Sequence, residues 1–327
     1  MGQEQVQQPA TSCPPREKRR VIEDVKPQIE AFWQYCQAGQ WQVAYNLMLK
    51  EGLFADLGRW GRNTILLGLC QLLLPSQDWQ PERSRVARIY IELGAVYDAL
   101  GKKQEALSYY EQALAIRREV GNRGGEGTTL HNLGMVYNAL GKKQEALSYF
   151  ERALAIWREV GDRGGEGMTL NNLGAVYDDL GKKQEALSYF EQALVICREV
   201  GDRGGEGTTL HNLGSVYDAL GKKQEALSYY EQALVISREV GDRGGEGTTL
   251  YNMGVLYFEQ GHYDVALASL LLARGIFEEV QSPSRDGVQR WIDALRRKIG
   301  EEQFTTLLAQ VESQAAQVVE QALHEGL

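Results

Sequence analysis

The side chains best able to hold a metal or attack a substrate are few in this chain: His131, His211, His262 and His324, and Cys13, Cys36, Cys70 and Cys197. A zinc site needs such ligands in close sequence pairs or converging in space. No Cys-x-x-Cys occurs, and no histidine stands at ligand spacing from a cysteine. His131 and His211 occupy the same place in a repeat, two units apart. Packed helices lie ~8–10 Å from each other, which puts these rings roughly 20 Å apart, too far to share an ion. A P-loop needs G-x-x-x-x-G-K-[ST]. The nearest string, Gly101-Lys102-Lys103, has no Ser or Thr after the lysine and falls at a turn between helices. The recurrent GGEG lacks the strand context of a dinucleotide site, and neither G-x-S-x-G nor H-E-x-x-H is present. Recurrent carboxylates such as Glu145 and Glu151 read as solvated charges on a helix face. The expectation is a protein that is not an enzyme, with no cofactor and no metal.

What these residues share is a repeated frame. LGKKQEALSYY or LGKKQEALSYF begins at Leu100, Leu140, Leu180 and Leu220, a period of 40 residues. GDRGGEG recurs at Gly161, Gly201 and Gly241, with GNRGGEG at Gly121. Cut after each GGE, the units are 87–126, 127–166, 167–206, 207–246 and 247–286. Each reads as two helices. Ala146, Leu147, Phe150, Ala153, Leu154 and Trp157 make one apolar face at 3.6-residue spacing, and Leu130, Leu133, Val136 and Tyr137 make another. Gly141 and Gly161 read as helix ends, and Asp162 as the cap of the helix that follows. Glycines at 164, 165 and 167 weaken that start by up to ~1 kcal/mol each relative to Ala, so the pattern leaves open a loop or a frayed first turn. One such hairpin cannot bury its own apolar face; stacked neighbours can.

Leu130-x-x-Leu133-Gly134-x-x-Tyr137, followed by Ala146, Phe150 and Ala153, resembles the tetratricopeptide repeat (TPR) signature, and the spacing holds in all five units, with Leu270 replacing the last aromatic. The usual Pro at the unit end is missing, and the long unit is similar to those of kinesin light chains, LGN-type adaptors and cyanobacterial arrays. The resemblance implies an all-α, right-handed superhelical solenoid of helical hairpins with helical caps at both ends.

In TPR arrays the first helix of each unit lines a concave groove. Carried onto this chain, the resemblance implies groove positions at Asn132, Asn172, Asn212 and Asn252, with Glu92 at the matching place in the first unit. Beside them run His131, Asn171, His211 and Tyr251. One turn on come Met135, Ala175, Ser215 and Val255, then Asp98, Asn138, Asp178 and Asp218, with Asp179 and Glu259 adjacent. An amide carries both donor and acceptor, so an Asn column can pair with the backbone of an extended peptide without reading its side chains. With first helices ~10 Å apart and a peptide advancing ~3.3 Å per residue, one Asn meets about every third residue. The alternative is that these amides bond to the neighbouring helix or to water. Asp98, Asp178 and Asp218 would make the groove acidic and favour a neutral or basic partner.

The flanks differ. Residues 1–20 are polar, carry Pro14-Pro15 and a basic end, and read as a disordered tail. Residues 21–86 read as degenerate helical hairpins capping the array, 87–286 as the five units, and 287–327 as C-terminal capping helices able to self-associate. The net charge of −9 disfavours nucleic acid. The longest apolar run, Thr64–Leu74, is too short for a membrane span. With no signal peptide visible, cytoplasm is the expected location. The leading functional expectation is a protein-interaction scaffold that holds an extended segment. The alternatives are the sensor array of a STAND-type signalling NTPase, suggested by W-x-x-A-Y at Trp41 and by Trp60-Gly61, or a structural self-associating scaffold.

Overall fold

A computed structural model describes residues 14–312 and 314–325. These residues form seventeen α-helices and no strand, in two compact units, 1–156 and 157–327. The first holds α1 (Lys26–Gln37), α2 (Trp41–Leu49), α3 (Leu53–Arg59), α4 (Asn63–Leu72), α5 (Arg83–Ala99), α6 (Lys103–Glu119), α7 (Arg123–Ala139) and most of α8 (Lys143–Val160). The second holds the end of α8, then α9 (Arg163–Asp179), α10 (Lys183–Val200), α11 (Arg203–Ala219), α12 (Lys223–Val240), α13 (Arg243–Gln260) and α14 (Tyr263–Glu279). It closes with α15 (Arg285–Ile299), α16 (Glu301–Val311) and α17 (Ala315–Glu325). The pairs α5/α6, α9/α10, α11/α12 and α13/α14 pack as hairpins. Each hairpin starts a turn ahead of the boundaries read from the repeats, in all but the first because the glycine-rich string is helical.

That string is the first turn of α7, α9, α11 and α13, neither loop nor frayed end. Asp162 caps α9 by accepting from the Gly165 N–H at 2.8 Å, which satisfies one of the donors a helix start leaves open. The glycines are there for proximity. A Cβ on Gly165 would lie 2.6 Å from the Trp157 ring, so the close approach of successive helices outweighs the poor helix propensity of glycine. The same logic holds inside each hairpin, where a Cβ on Gly134 would lie 2.7 Å from the Phe150 ring. Gly141 and Gly161 end their helices with φ of +73° and +74°, the left-handed geometry that glycine adopts without strain.

In the first unit α1–α4 share one core with α5: Phe32, Met48, Leu53, Leu57, Leu66 and Leu69 pack with Leu93 and Val96. Of the tail expected to be disordered, residues 1–13 lie outside the described residues. Residues 14–20 include a short 3₁₀ turn, Arg16–Lys18, and Arg19 is buried in a 2.7 Å ion pair with the fully buried Asp56. In the second unit α15, α16 and α17 pack on α14, and Val288, Ile292, Leu295, Phe304 and Val319 extend its core.

Candidate binding surface

The frame around the surface is held by a recurrent charge arrangement. Each hairpin junction buries a glutamate from the glycine-rich turn. Glu206, 5% exposed, accepts from Arg198 at 2.8 Å and from Arg203, and Arg203 also reaches Glu239 on the following second helix at 2.5 Å. Glu166 and Glu246 sit in the same arrangement with Arg158 and Arg163, and with Arg238 and Arg243. In the first unit Glu126 is bound by Arg118 and Arg123. Burial pushes the Glu126 carboxyl up, but hydrogen bonds and charge from the two arginines outweigh it and leave it below the ordinary range. These charged groups are spent within the frame, so recognition must come from elsewhere.

The exposed stripe of the first helices remains. Asn132, Asn172, Asn212 and Asn252 are half-buried. In the second unit their amides are already tied to the preceding first helix. Asn212 Nδ2 donates to Asn171 Oδ1 at 3.1 Å, and Asn252 Nδ2 meets His211 Nε2 at 3.3 Å and Tyr230 Oη at 3.5 Å. Asn172 and His131 also have partners. The structure thus uses the amide nitrogens of Asn212 and Asn252 for the neighbouring helix, which fixes their carbonyl oxygens in direction.

The residues beside the asparagines are supports of this column. Asn171 Oδ1 also accepts from Thr209 Oγ1 at 3.2 Å. His211 takes the equivalent role: its Nδ1 lies 3.0 Å from Thr249 Oγ1. Because the Asn252 amide donates, Nε2 accepts and Nδ1–H donates to Thr249, which defines the neutral tautomer. Burial depresses His131 and His211 to about 4. Tyr251 receives a 3.0 Å hydrogen bond from Trp291 Nε1 on α15, so its hydroxyl joins the last hairpin to the C-terminal helices. At the Asn position of the first repeat, Glu92 is buried beside Arg88; burial raises its carboxyl and the arginine only partly offsets this.

The carboxylates are compensated. Asp98 pairs with Lys103 at 2.7 Å, Asp178 with Lys183 at 2.6 Å, and Asp218 with Lys223, which also binds Glu259 at 2.7 Å. The acidity expected of the groove is offset by these lysines, which stand five residues downstream of each Asp.

Comparison of the near-identical units locates the surface more sharply than any single residue. On the first helix the differences are Thr128/Met168/Thr208, His131/Asn171/His211, Met135/Ala175/Ser215, Asn138/Asp178/Asp218 and, next to the last, Ala139/Asp179/Ala219. The spacing of three, four and three residues among the first four is one helix face. Met135 and Met168 are 44% and 52% exposed. Position 128 is absent from the groove expected by resemblance; aligning the units at the period of 40 finds it.

The family model described as tetratricopeptide repeat matches residues 77–119, 125–199, 184–239 and 205–279. No curated protein matches the chain by sequence. Among solved structures, a STAND protein with a tetratricopeptide repeat sensor, PH0952 from Pyrococcus horikoshii, is similar at 16% identity and a TM-score of 0.66, over 93% of this chain and 48% of its own. A Rap protein complexed with Competence and Sporulation Factor is similar at 14% identity and a TM-score of 0.62, over 93% of this chain and 91% of its own. BtubC from P. vanneervenii is 24% identical with a TM-score of 0.51, over 66% of this chain and 92% of its own. At these identities the likeness is one of fold.

Proposed function

Because the chain belongs to the tetratricopeptide repeat family, we propose that it is a non-enzymatic protein-interaction scaffold that holds an extended peptide segment along its first helices. The observation that carries this reading is the stripe of differences on the first helices, which lie on one partly exposed face; the second helices differ at 150, 152, 155 and 157 and their equivalents. A varied, partly exposed face on otherwise matching first helices is the arrangement of a recognition surface. The asparagine oxygens of Asn212 and Asn252 accept peptide N–H groups, each bond adding ~0.5–1.5 kcal/mol, while the varied positions read side chains. With Asp98, Asp178 and Asp218 neutralised by lysines, the segment is uncharged rather than basic.

The test is selection from a random peptide library on the folded protein, repeated with Ala175→Met and Ser215→Met. The proposal expects the selected side chains to change while the frame stays folded by circular dichroism. A second arm replaces Asn132, Asn172, Asn212 and Asn252 by Ala and expects affinity to fall for every selected peptide. Peptides that bind all variants equally would refute the groove.

A second reading makes the array a sensor acting with a separate nucleotide-binding module, since a protein with a named TPR sensor is matched over 93% of this chain. It predicts a partner whose ATP turnover changes when this chain is added. Self-association through the end helices is tested by light scattering, where a monomer at working concentration removes it.

A further inference from the structure

The second helices of four hairpins each carry one buried residue that lies over a glycine of the next first helix. In the first four hairpins it is Arg117, Trp157, Cys197 and Ser237, over Gly125, Gly165, Gly205 and Gly245. Trp157 and Ser237 are both buried, at 4% and 6% exposure. The Trp157 ring fills the space over Gly165, coming within 2.6 Å of where a Cβ would stand. The residue at the same place in the last hairpin, Phe277, lies instead against Gly247 of its own first helix, 2.9 Å from the Cβ position. Over Gly245 stand the capping Asp242 carboxylate and, from the second helix, only the Ser237 hydroxyl, 3.2 Å from the Cβ position. The volume that the Trp157 ring takes at the equivalent place is only partly filled here.

The result is a cavity of about 150 Å³ lined by Gly207, Thr208, His211, Ser237, Gly245 and Thr249, with Asp242 and Thr248 at its rim. Thr208, Asp242 and Thr248 are exposed, so the cavity opens to solvent. We propose that this cavity is a binding site for a small planar aromatic molecule of indole size. Three features argue for that class. The frame around it is the one that seats an indole in the chain itself, at Trp157. A void of this order takes one aromatic ring system rather than a drug-sized ligand. Its wall holds polar atoms, and a ring bearing an N–H finds acceptors in the Ser237 and Thr208 hydroxyls. The Thr208 hydroxyl donates to Gly204 O at 3.1 Å, which leaves its lone pairs for a ligand. At Trp157 the indole nitrogen is buried without a hydrogen-bond partner among the described residues, so a free indole is better satisfied here than the covalent one is there.

His211 forms one wall, and its ring is fixed by Thr249 and Asn252. A ligand in the cavity therefore touches the support of the asparagine column and braces α11, α12 and α13 against one another. This inference does not rest on the peptide reading, although Thr208 and His211 of the exposed stripe line the cavity.

The test uses 5-fluoroindole and the full chain, followed by fluorine NMR. Wild type is expected to shift or broaden the ligand resonance, with reversal by excess unlabelled indole. Ser237→Trp fills the cavity with a side chain and is expected to weaken binding at least tenfold. Ser237→Phe, which introduces the ring that the last hairpin already carries at Phe277, serves if the tryptophan variant does not fold. Absence of any effect from wild type up to the solubility of the ligand would overturn the proposal. So would equal binding by the folded filled variant.

Discussion

Replacing His211 or His131 by Asn should remove most of the acid sensitivity that each imposes on its unit. Asn is the residue that the intervening repeat already uses: Asn171 accepts from Thr209 and Asn212 at 3.2 and 3.1 Å, and His211 meets Thr249 and Asn252 in the same places. Burial holds both imidazoles at about 4 against an ordinary 6.5. Between those values the unfolded chain takes up a proton that the folded chain refuses, so stability rises with pH across the window. The contribution is fully present above pH 6.5, is lost progressively as the pH falls, and levels off near pH 4. A difference of about 2.5, at ~1.4 kcal/mol per pH unit, makes each histidine responsible for about 3.5 kcal/mol of acid destabilisation. Protonation of His211 at Nε2 would also set two donors, the ring and the Asn252 amide, against each other. Urea unfolding followed by circular dichroism at pH 7.5, 6, 5 and 4.5 measures the effect. The wild type should lose stability steeply over this range, and the His131→Asn, His211→Asn variant clearly less. Glu126, held below the carboxylate range, is common to both proteins and cancels in the comparison. Parallel pH profiles for the two proteins would refute the assignment of these rings as buried and neutral.

Three further outcomes follow from the packing. Gly214→Ala puts a methyl 2.7 Å from the Tyr230 ring and should destabilise by about 1–3 kcal/mol in thermal melts, because the ring has no room to move aside. Asp202→Ala removes the 2.9 Å acceptor of the Gly205 N–H and should cost about 1 kcal/mol by urea titration. Glu206→Gln leaves Arg198 and Arg203 facing a neutral group in a buried place, whereas Glu239→Gln disturbs an exposed pair; calorimetry should rank the first well above the second.

The hairpins were legible because their signals are local. Apolar spacing marked the faces, and Gly141 and Gly161 marked the ends through a conformation that few other residues adopt. The glycine-rich turn was not legible, because its reason is tertiary: propensity argues against a helix at residues 164–167, and only the ring of Trp157 and the side chain of Ile196 explain why nothing larger fits. The groove positions could be placed but not their bonding. Asn171 and Asn212 are 41 residues apart, and no local pattern shows that one amide donates to the other. The lysine compensation is within reach of sequence, since Asp178 and Lys183 flank a single turn. It stays hidden when the carboxylates on the first helices are weighed without the residues that open the second.

The differences among the units bear on both functional readings. The stripe at 128, 131, 135 and 138 and the buried position 157/197/237 are separate in sequence, yet His211 and Thr208 from the stripe line the cavity that Ser237 leaves. Apart from the exposed second-helix positions 152 and 155 and their equivalents, variation has gathered where the exposed face of a first helix meets the junction to the next hairpin. Change at this place alters what the face presents and how firmly neighbouring hairpins are joined. In a linear array each hairpin is stabilised by its neighbours, so a residue that weakens one junction, as Ser237 does relative to Trp157, sets where the array opens first. A ligand that restores the missing packing should then stabilise α11–α13 more than any other part of the second unit, and hydrogen exchange with and without indole would locate that protection.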